Sequence, residues 1–185
     1  MLEKTKVFFL LMVVLFAGCW LFASDKAGEK PNKKLLRVGV FDSRAVAIAF
    51  GGWEQFHKEL EAKKAELNKA KEEGDANKVK ELEKWGNEHQ ARLHKQGFGT
   101  APVHDLLEYI KDDMPKIAKQ AGVDVIVSKW EIAYQEPSVE MVDITDLIVK
   151  PFNPGEKQLK WIEQMKDIKP TPEDELDRLE KEGKL

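Results

Sequence analysis

Residues 53 to 95 carry two heptad seams that agree on one register, and no other feature limits the possible folds as strongly. In the first segment Phe56, Leu60, Lys63, Leu67 and Ala70 are spaced 4, 3, 4, 3. In the second, Val79, Leu82, Gly86, His89 and Leu93 are spaced 3, 4, 3, 4. Both spacings match a helix that presents one apolar stripe to a partner. Gly74-Asp75 lies between the segments and is a turn signal, with Asp75 placed to cap the second helix. If the chain folds back there, Ala70 meets Val79, Leu67 meets Leu82, Lys63 meets Gly86, Leu60 meets His89 and Phe56 meets Leu93. In each pair the residue numbers add to 149, so the two segments specify the same antiparallel hairpin. At 1.5 Å per residue each arm is about 30 Å long.

The seam is narrow. It has two core positions per heptad and a weak middle layer, Lys63 opposite Gly86, with Trp85 placed to lie over the gap. The arm carries ten acidic and ten basic residues, which read as a solvated face with local ion pairs rather than a directional patch. An arm of this kind is exposed and needs support at its base.

The rest of the chain divides around the arm. Val7 to Ala23 has no charge and follows Lys4 and Lys6, the layout of a secretory signal peptide. Three fates fit this segment. It is cleaved after Ala23, lipidated at Cys19 within Phe16-Ala17-Gly18-Cys19, or retained as an inner-membrane tether through residues 7–23. Residues 24–34 form a polar linker. After residue 23 the chain carries a net charge of -4, which disfavours a nucleic-acid binder. A single Cys excludes an intramolecular disulfide and a cysteine-built zinc site.

Leu35 to Asp42 reads as a strand, followed by a short helix capped by Asp42 or Ser43. Val103 to Ala121 reads as one helix, kinked at Pro115 and stopped at Gly122. Val123 to Ser128 and Glu131 to Gln135 read as two strands joined in a tight hairpin through Lys129-Trp130. Asp143-Ile144-Thr145-Asp146 opens a further short helix. Glu156 to Ile168 supplies another, built on Leu159, Ile162 and Met165. Glu173 to Leu185 reads as a charged, frayed end.

Three stretches carry a family resemblance. Gly122-Val123-Asp124-Val125-Ile126-Val127 through Tyr134, then Asp143-Ile144-Thr145-Asp146, is similar to the late strands and helix start of the Skp/OmpH family of periplasmic chaperones. Arg37-Val38-Gly39-Val40-Phe41-Asp42 resembles that family's first strand. The resemblance covers roughly residues 37 to 152. It implies a domain over residues 35–152 and a trimer whose small β base carries helical arms around a client cavity. The arms here are shorter, so that cavity would be smaller. Residues 153–185 form a charged tail outside the resemblance.

The expected fold is therefore α+β: a small antiparallel β base with a protruding antiparallel coiled-coil hairpin, assembled as a homotrimer. Val38, Val40, Val125, Val127 and Ile132 are expected to form the oligomer base. Phe56, Leu60, Leu67, Ala70, Val79, Leu82, His89 and Leu93 form the hairpin seam. The implied function is that of an exported holdase whose partners are unfolded envelope or outer-membrane proteins. The alternative is a membrane-tethered structural or assembly subunit of the envelope without clients.

Little in the sequence points to catalysis. His57, His89 and His94 approach one another in the derived hairpin, the one arrangement that suggests a metal. No carboxylate or Cys completes the set, so His89 reads as a seam residue and the other two as solvated. Asp42-Ser43-Arg44 and Asp143 to Asp146 read as helix caps. The chain has no phosphate loop, no G-x-S-x-G and no H-E-x-x-H. The expectation is a non-enzymatic protein with no cofactor or metal and no nucleic-acid partner.

Overall fold

The computed structural model describes residues 35 to 183. The expectations for residues 1–34, Cys19 and the tether among them, lie outside the described residues. No helix among those described is long and apolar enough to cross a membrane.

The described residues start with β1 (Arg37–Phe41) and α1 (Ser43–Gly51). The arm follows as α2 (Glu54–Glu73) and α3 (Ala76–Phe98). Next come α4 (His104–Leu107), α5 (Met114–Ala121), β2 (Val125–Ser128) and β3 (Glu140–Asp143). The last elements are α6 (Thr145–Val149), α7 (Glu156–Met165) and α8 (Glu173–Lys181).

The sheet corrects the antiparallel base expected from the sequence. Its strand order is β2-β1-β3, and both neighbours of β1 run parallel to it. A two-residue turn cannot join parallel strands; they need a crossover of about a dozen residues. Residues 129 to 139 provide it. They begin with a 3-10 turn at Lys129–Glu131, where the hairpin was expected, and continue as an exposed loop in which Tyr134 is 76% exposed. The run Glu131 to Gln135 is thus no strand, and Ile132 lies outside the sheet. The true third strand is the short Glu140-Met141-Val142-Asp143.

One sheet face is covered. Gly39 and Phe41 of β1 are buried, and Ile126, Ser128 and Val142 neighbour them in the register. Gly39 is required there: a Cβ would stand 2.8 Å from Ile144 Cδ1 and 3.0 Å from Val123 Cγ2. The core continues through Val46, Phe50, Ile110, Ile144, Ile148, Val149 and Phe152. Arg37 ties the sheet edge together. Its Nε and one terminal nitrogen donate to the two Glu140 oxygens, each at 2.8 Å, and the other terminal nitrogen donates to Gly122 O at 2.6 Å. This bidentate pairing spans β1 and β3.

Two further expectations change. The helix expected over Val103 to Ala121 is broken into α4, a 3-10 turn at Glu108–Ile110 and α5. Pro115 lies in the first turn of α5 instead of kinking a longer helix. A proline lacks an N–H, and the first helical turn is where that donor is not needed. The expected frayed end is also ordered: α8 buries Leu176 to 1% exposure, and α7 places Ile162 in the core.

Candidate functional site

The arm is held by aromatic packing at its base. Phe50 of α1 lies 4.7 Å from Phe56, 5.3 Å from Tyr109 and 6.0 Å from Phe152, measured between ring centroids. Trp53 adds contacts to Tyr109 at 5.4 Å and Phe152 at 5.6 Å. From Phe56 the stack enters the arm: His89 lies 5.6 Å away, and Trp85 lies 5.1 Å beyond His89 at an interplanar angle of 15°. The ladder Phe152-Phe50-Phe56-His89-Trp85 thus links the body to the middle of α3.

The arm helices run antiparallel. Phe56 meets His89, Lys63 Nζ lies 6.0 Å from the Trp85 ring, and Lys71 pairs with Glu83 at 2.9 Å, so positions rise on α2 as they fall on α3. Gly74 turns the chain at φ 73°, a left-handed conformation that glycine adopts without a steric penalty. The Asp75 carboxylate then accepts from Lys78 N at 3.0 Å and caps α3.

Of the seam residues, Phe56, Ala70 and Leu82 are buried, while Leu60, Leu67, Val79, His89 and Leu93 are half-buried. At the layer of Lys63 and Gly86 the seam opens into a groove of about 630 Å³, within the range of ligand pockets. Nothing stands within 4 Å of where a Gly86 Cβ would be. Trp85 leaves the gap open: it lines the groove and stacks on His89.

The three histidines are not brought together as a metal site. His89 is sandwiched between Phe56 and Trp85, His57 packs at 5.8 Å from Phe56, and His94 lines the groove. Among the described residues no group of three or more His, Cys, Asp or Glu is placed to hold an ion.

The second surface is the uncovered sheet face. The register sets Val38 beside Val125 and Met141, and Val40 beside Val127 and Asp143. Paired residues of neighbouring strands share a face, so these four valines and Met141 lie together, opposite buried Gly39 and Phe41. Val38, Val40, Val127 and Met141 are half-buried, and Val125 is exposed at 43%. All-parallel sheets are ordinarily covered on both faces.

A third cluster was missed in the sequence because strand direction was misread. Asp42, at the carboxyl end of β1, is 2% exposed. Its carboxylate accepts from Arg44 N at 3.1 Å, Arg44 Nε at 3.0 Å, an Arg44 terminal nitrogen at 2.8 Å and Trp130 Nε1 at 2.9 Å. Lys129 Nζ pairs with it at 2.9 Å. Burial pushes the Asp42 carboxyl up, but the donors Arg44, Trp130 and Lys129 outweigh burial and leave it below the ordinary carboxylate value. Its oxygens are fully engaged, so Asp42 is a helix cap and a tie. Arg44 also donates to Met165 O at 3.1 Å and Ile168 O at 2.7 Å, fixing the end of α7 to the start of α1. A Lys-Trp pair directly after a strand was the available signal, readable only once β2 is known to run parallel to β1.

A second tie also went unread. Gln96, fully buried in the last turn of α3, donates to Asp105 Oδ1 at 2.7 Å and Pro102 O at 2.9 Å. Arg92 donates to the other Asp105 oxygen at 2.7 Å. Compared with protein-family models, curated proteins and solved structures, the chain matches none of them.

Proposed function

We propose that this chain is an exported holdase-type chaperone that self-associates and shields apolar segments of unfolded envelope proteins. The observation that carries the reading is the arm. Between residues 61 and 92 only Ala70 and Leu82 are buried, and the seam opens into an apolar groove. A structural strut gains from a closed seam, whereas a binding arm needs apolar surface within reach of a partner. Contacts of this kind are weak singly and strengthen when several arms act on one client.

Self-association would use the sheet face of Val38, Val40, Val125, Val127 and Met141, with three copies as the expected assembly. It would cover the apolar surface that one chain leaves open.

The test is direct. The purified chain should reduce light scattering when a urea-unfolded β-barrel membrane protein is diluted into buffer. No reduction at saturating chaperone removes the reading. Multi-angle scattering should give a multiple of the 21.1 kDa chain mass. Val40→Glu on the open face should return it to one copy. A wild-type monomer at high concentration removes the assembly.

A further inference from the structure

The groove beside Gly86 has a more specific chemistry than a generic apolar arm. Heptad spacing asks for a large apolar side chain at position 86, and the chain places there a residue with none. Glycine inside a helix also destabilises it by roughly 0.5–1 kcal/mol relative to alanine. The opposing position is Lys63, whose ammonium is drawn aside to Glu66 at 3.0 Å and toward the Trp85 face. The layer is thus hollow on both helices, between seam layers that carry Leu60, Leu67, Leu82 and His89.

Three observations limit what fits. The walls are apolar and aromatic, with Phe56, Leu60, Leu67, Trp85 and Leu93 among them, and a volume of about 630 Å³ admits a large side chain with its flanking backbone. The rim is net positive: its charged residues are Lys63, Lys64 and Glu83, and Glu83 is engaged by Lys71. Lys64 has no ion-pair partner among the described residues, which leaves one cation to be matched. His89 lines the groove with its Nε2 buried and without a hydrogen-bond partner. An unmatched imidazole nitrogen is poorly served by a hydrocarbon chain and well served by a backbone amide.

We propose that the groove beside Gly86 docks an unfolded polypeptide segment that presents an aromatic side chain next to a carboxylate. The ring enters the layer left hollow by Gly86, the carboxylate meets Lys64, and binding opens the buried His89 Nε2 to the segment's backbone. This inference rests on the holdase reading and names the client feature that the arm selects.

The test titrates the purified full chain, followed by the NMR signals of the Trp85 indole and His89 imidazole. The probe is acetyl-Gly-Phe-Asp-Gly-amide. It should shift both signals and bind about fivefold tighter than the Phe-Lys counterpart, as one exposed charge contact of up to about 1 kcal/mol would give. Lys64→Ala should remove that preference. Gly86→Leu should fill the groove, abolish the shifts and raise the melting temperature of the arm, so lost binding cannot be assigned to misfolding.

Several outcomes overturn the proposal. One is a Gly86→Leu chain that is folded and still binds the probe. Another is equal affinity for the Phe-Asp and Phe-Lys peptides. Tighter binding of 4-phenylbutyrate than of the peptide would assign the groove to a free amphiphile. Shifts at Trp85 that depend on protein concentration alone would assign it to a second copy. Aggregation suppression by the wild-type chain is measured in parallel. If suppression stands while the probe leaves Trp85 unmoved, the docking inference fails and the holdase reading survives; if suppression is absent, the reading itself fails.

Discussion

The base and the middle of the arm follow one heptad pattern and reach different ends. At the base, Phe56 and Leu93 pack against the body, and the Phe56 ring lies tilted against Phe50, itself beside Phe152. In the middle, Lys63 turns aside to Glu66 and the Trp85 ring, nothing stands within 4 Å of a Gly86 Cβ, and the seam opens. A heptad thus specifies which face turns inward; the side chains and the third element behind them decide whether that face closes. Two helices alone bury too little to be rigid, so order along the arm should fall with distance from Phe50.

The largest effect should come from cutting the arm off from its support. Phe152 is fully buried and touches both Phe50 and Trp53. Phe152→Ala should destabilise the whole fold by about 3–5 kcal/mol, from lost burial and the cavity left behind. Thermal unfolding followed by circular dichroism measures it. A loss below about 1 kcal/mol would mean the aromatic base does not anchor the arm.

Asp42→Asn should rank next, at about 3 kcal/mol near neutral pH, because it leaves Arg44 buried without its counter-charge. The sign of the pH effect follows from the lowered carboxyl. A depressed folded value contributes stability that is full above the ordinary carboxylate pKa of 3.8 and is lost as pH falls through the lower folded value. Urea titrations at several pH values below 5 should show the wild type losing stability on acidification more steeply than Asp42→Asn. Parallel slopes would show that Asp42 does not carry this dependence. The arm has no comparable buried charge among the described residues, so its exchange protection should respond less to acid than that of α1.

Leu82→Ala should cost about 2 kcal/mol, the low end for a buried leucine, because an isolated seam can relax around the hole. Its signature is local. Amide exchange should accelerate over residues 67 to 86, while protection of β1 and α1 stays at the wild-type level. Uniform acceleration across the chain would place arm and body in one cooperative unit.

How far the sequence was legible follows the same division. The hairpin could be read because its information is local: a periodic stripe, Gly74 at the turn and Asp75 as cap. The hollow layer was also visible, since Lys63 and Gly86 fall on core positions. The sheet was not, because strand direction depends on where residues 129 to 139 run, and that is decided by a distant carboxylate. Asp42 draws Lys129 and Trp130 toward the end of β1, so the chain leaves the sheet where a hairpin would have returned it. The apolar run Ile132-Ala133-Tyr134 then goes unused, and four residues with weaker β character form the edge. Val38, Val40, Val125 and Val127 do share one face, for a reason independent of the misread direction: side chains alternate along a strand whichever way its neighbour runs. Of the groove, the Trp85 stack on His89 had no sequence signal, because it depends on a rotamer choice that the heptad leaves open.

The smallest predicted effect sharpens the comparison most, because it has the opposite sign. Gly86→Ala adds a methyl group where nothing lies within 4 Å, in the interior of α3. It should therefore stabilise the arm by about 0.5–1 kcal/mol through helix propensity alone. The body should not respond: exchange protection in β1 and α1 should match the wild type, while protection around residue 86 rises. A methyl group is too small to fill a groove of about 630 Å³, so the aromatic walls should stay open to a ligand. A destabilised Gly86→Ala arm would show that the helices approach more closely at this layer than the hollow requires. The openness of the mid-arm would then be lost as the feature that separates it from the base.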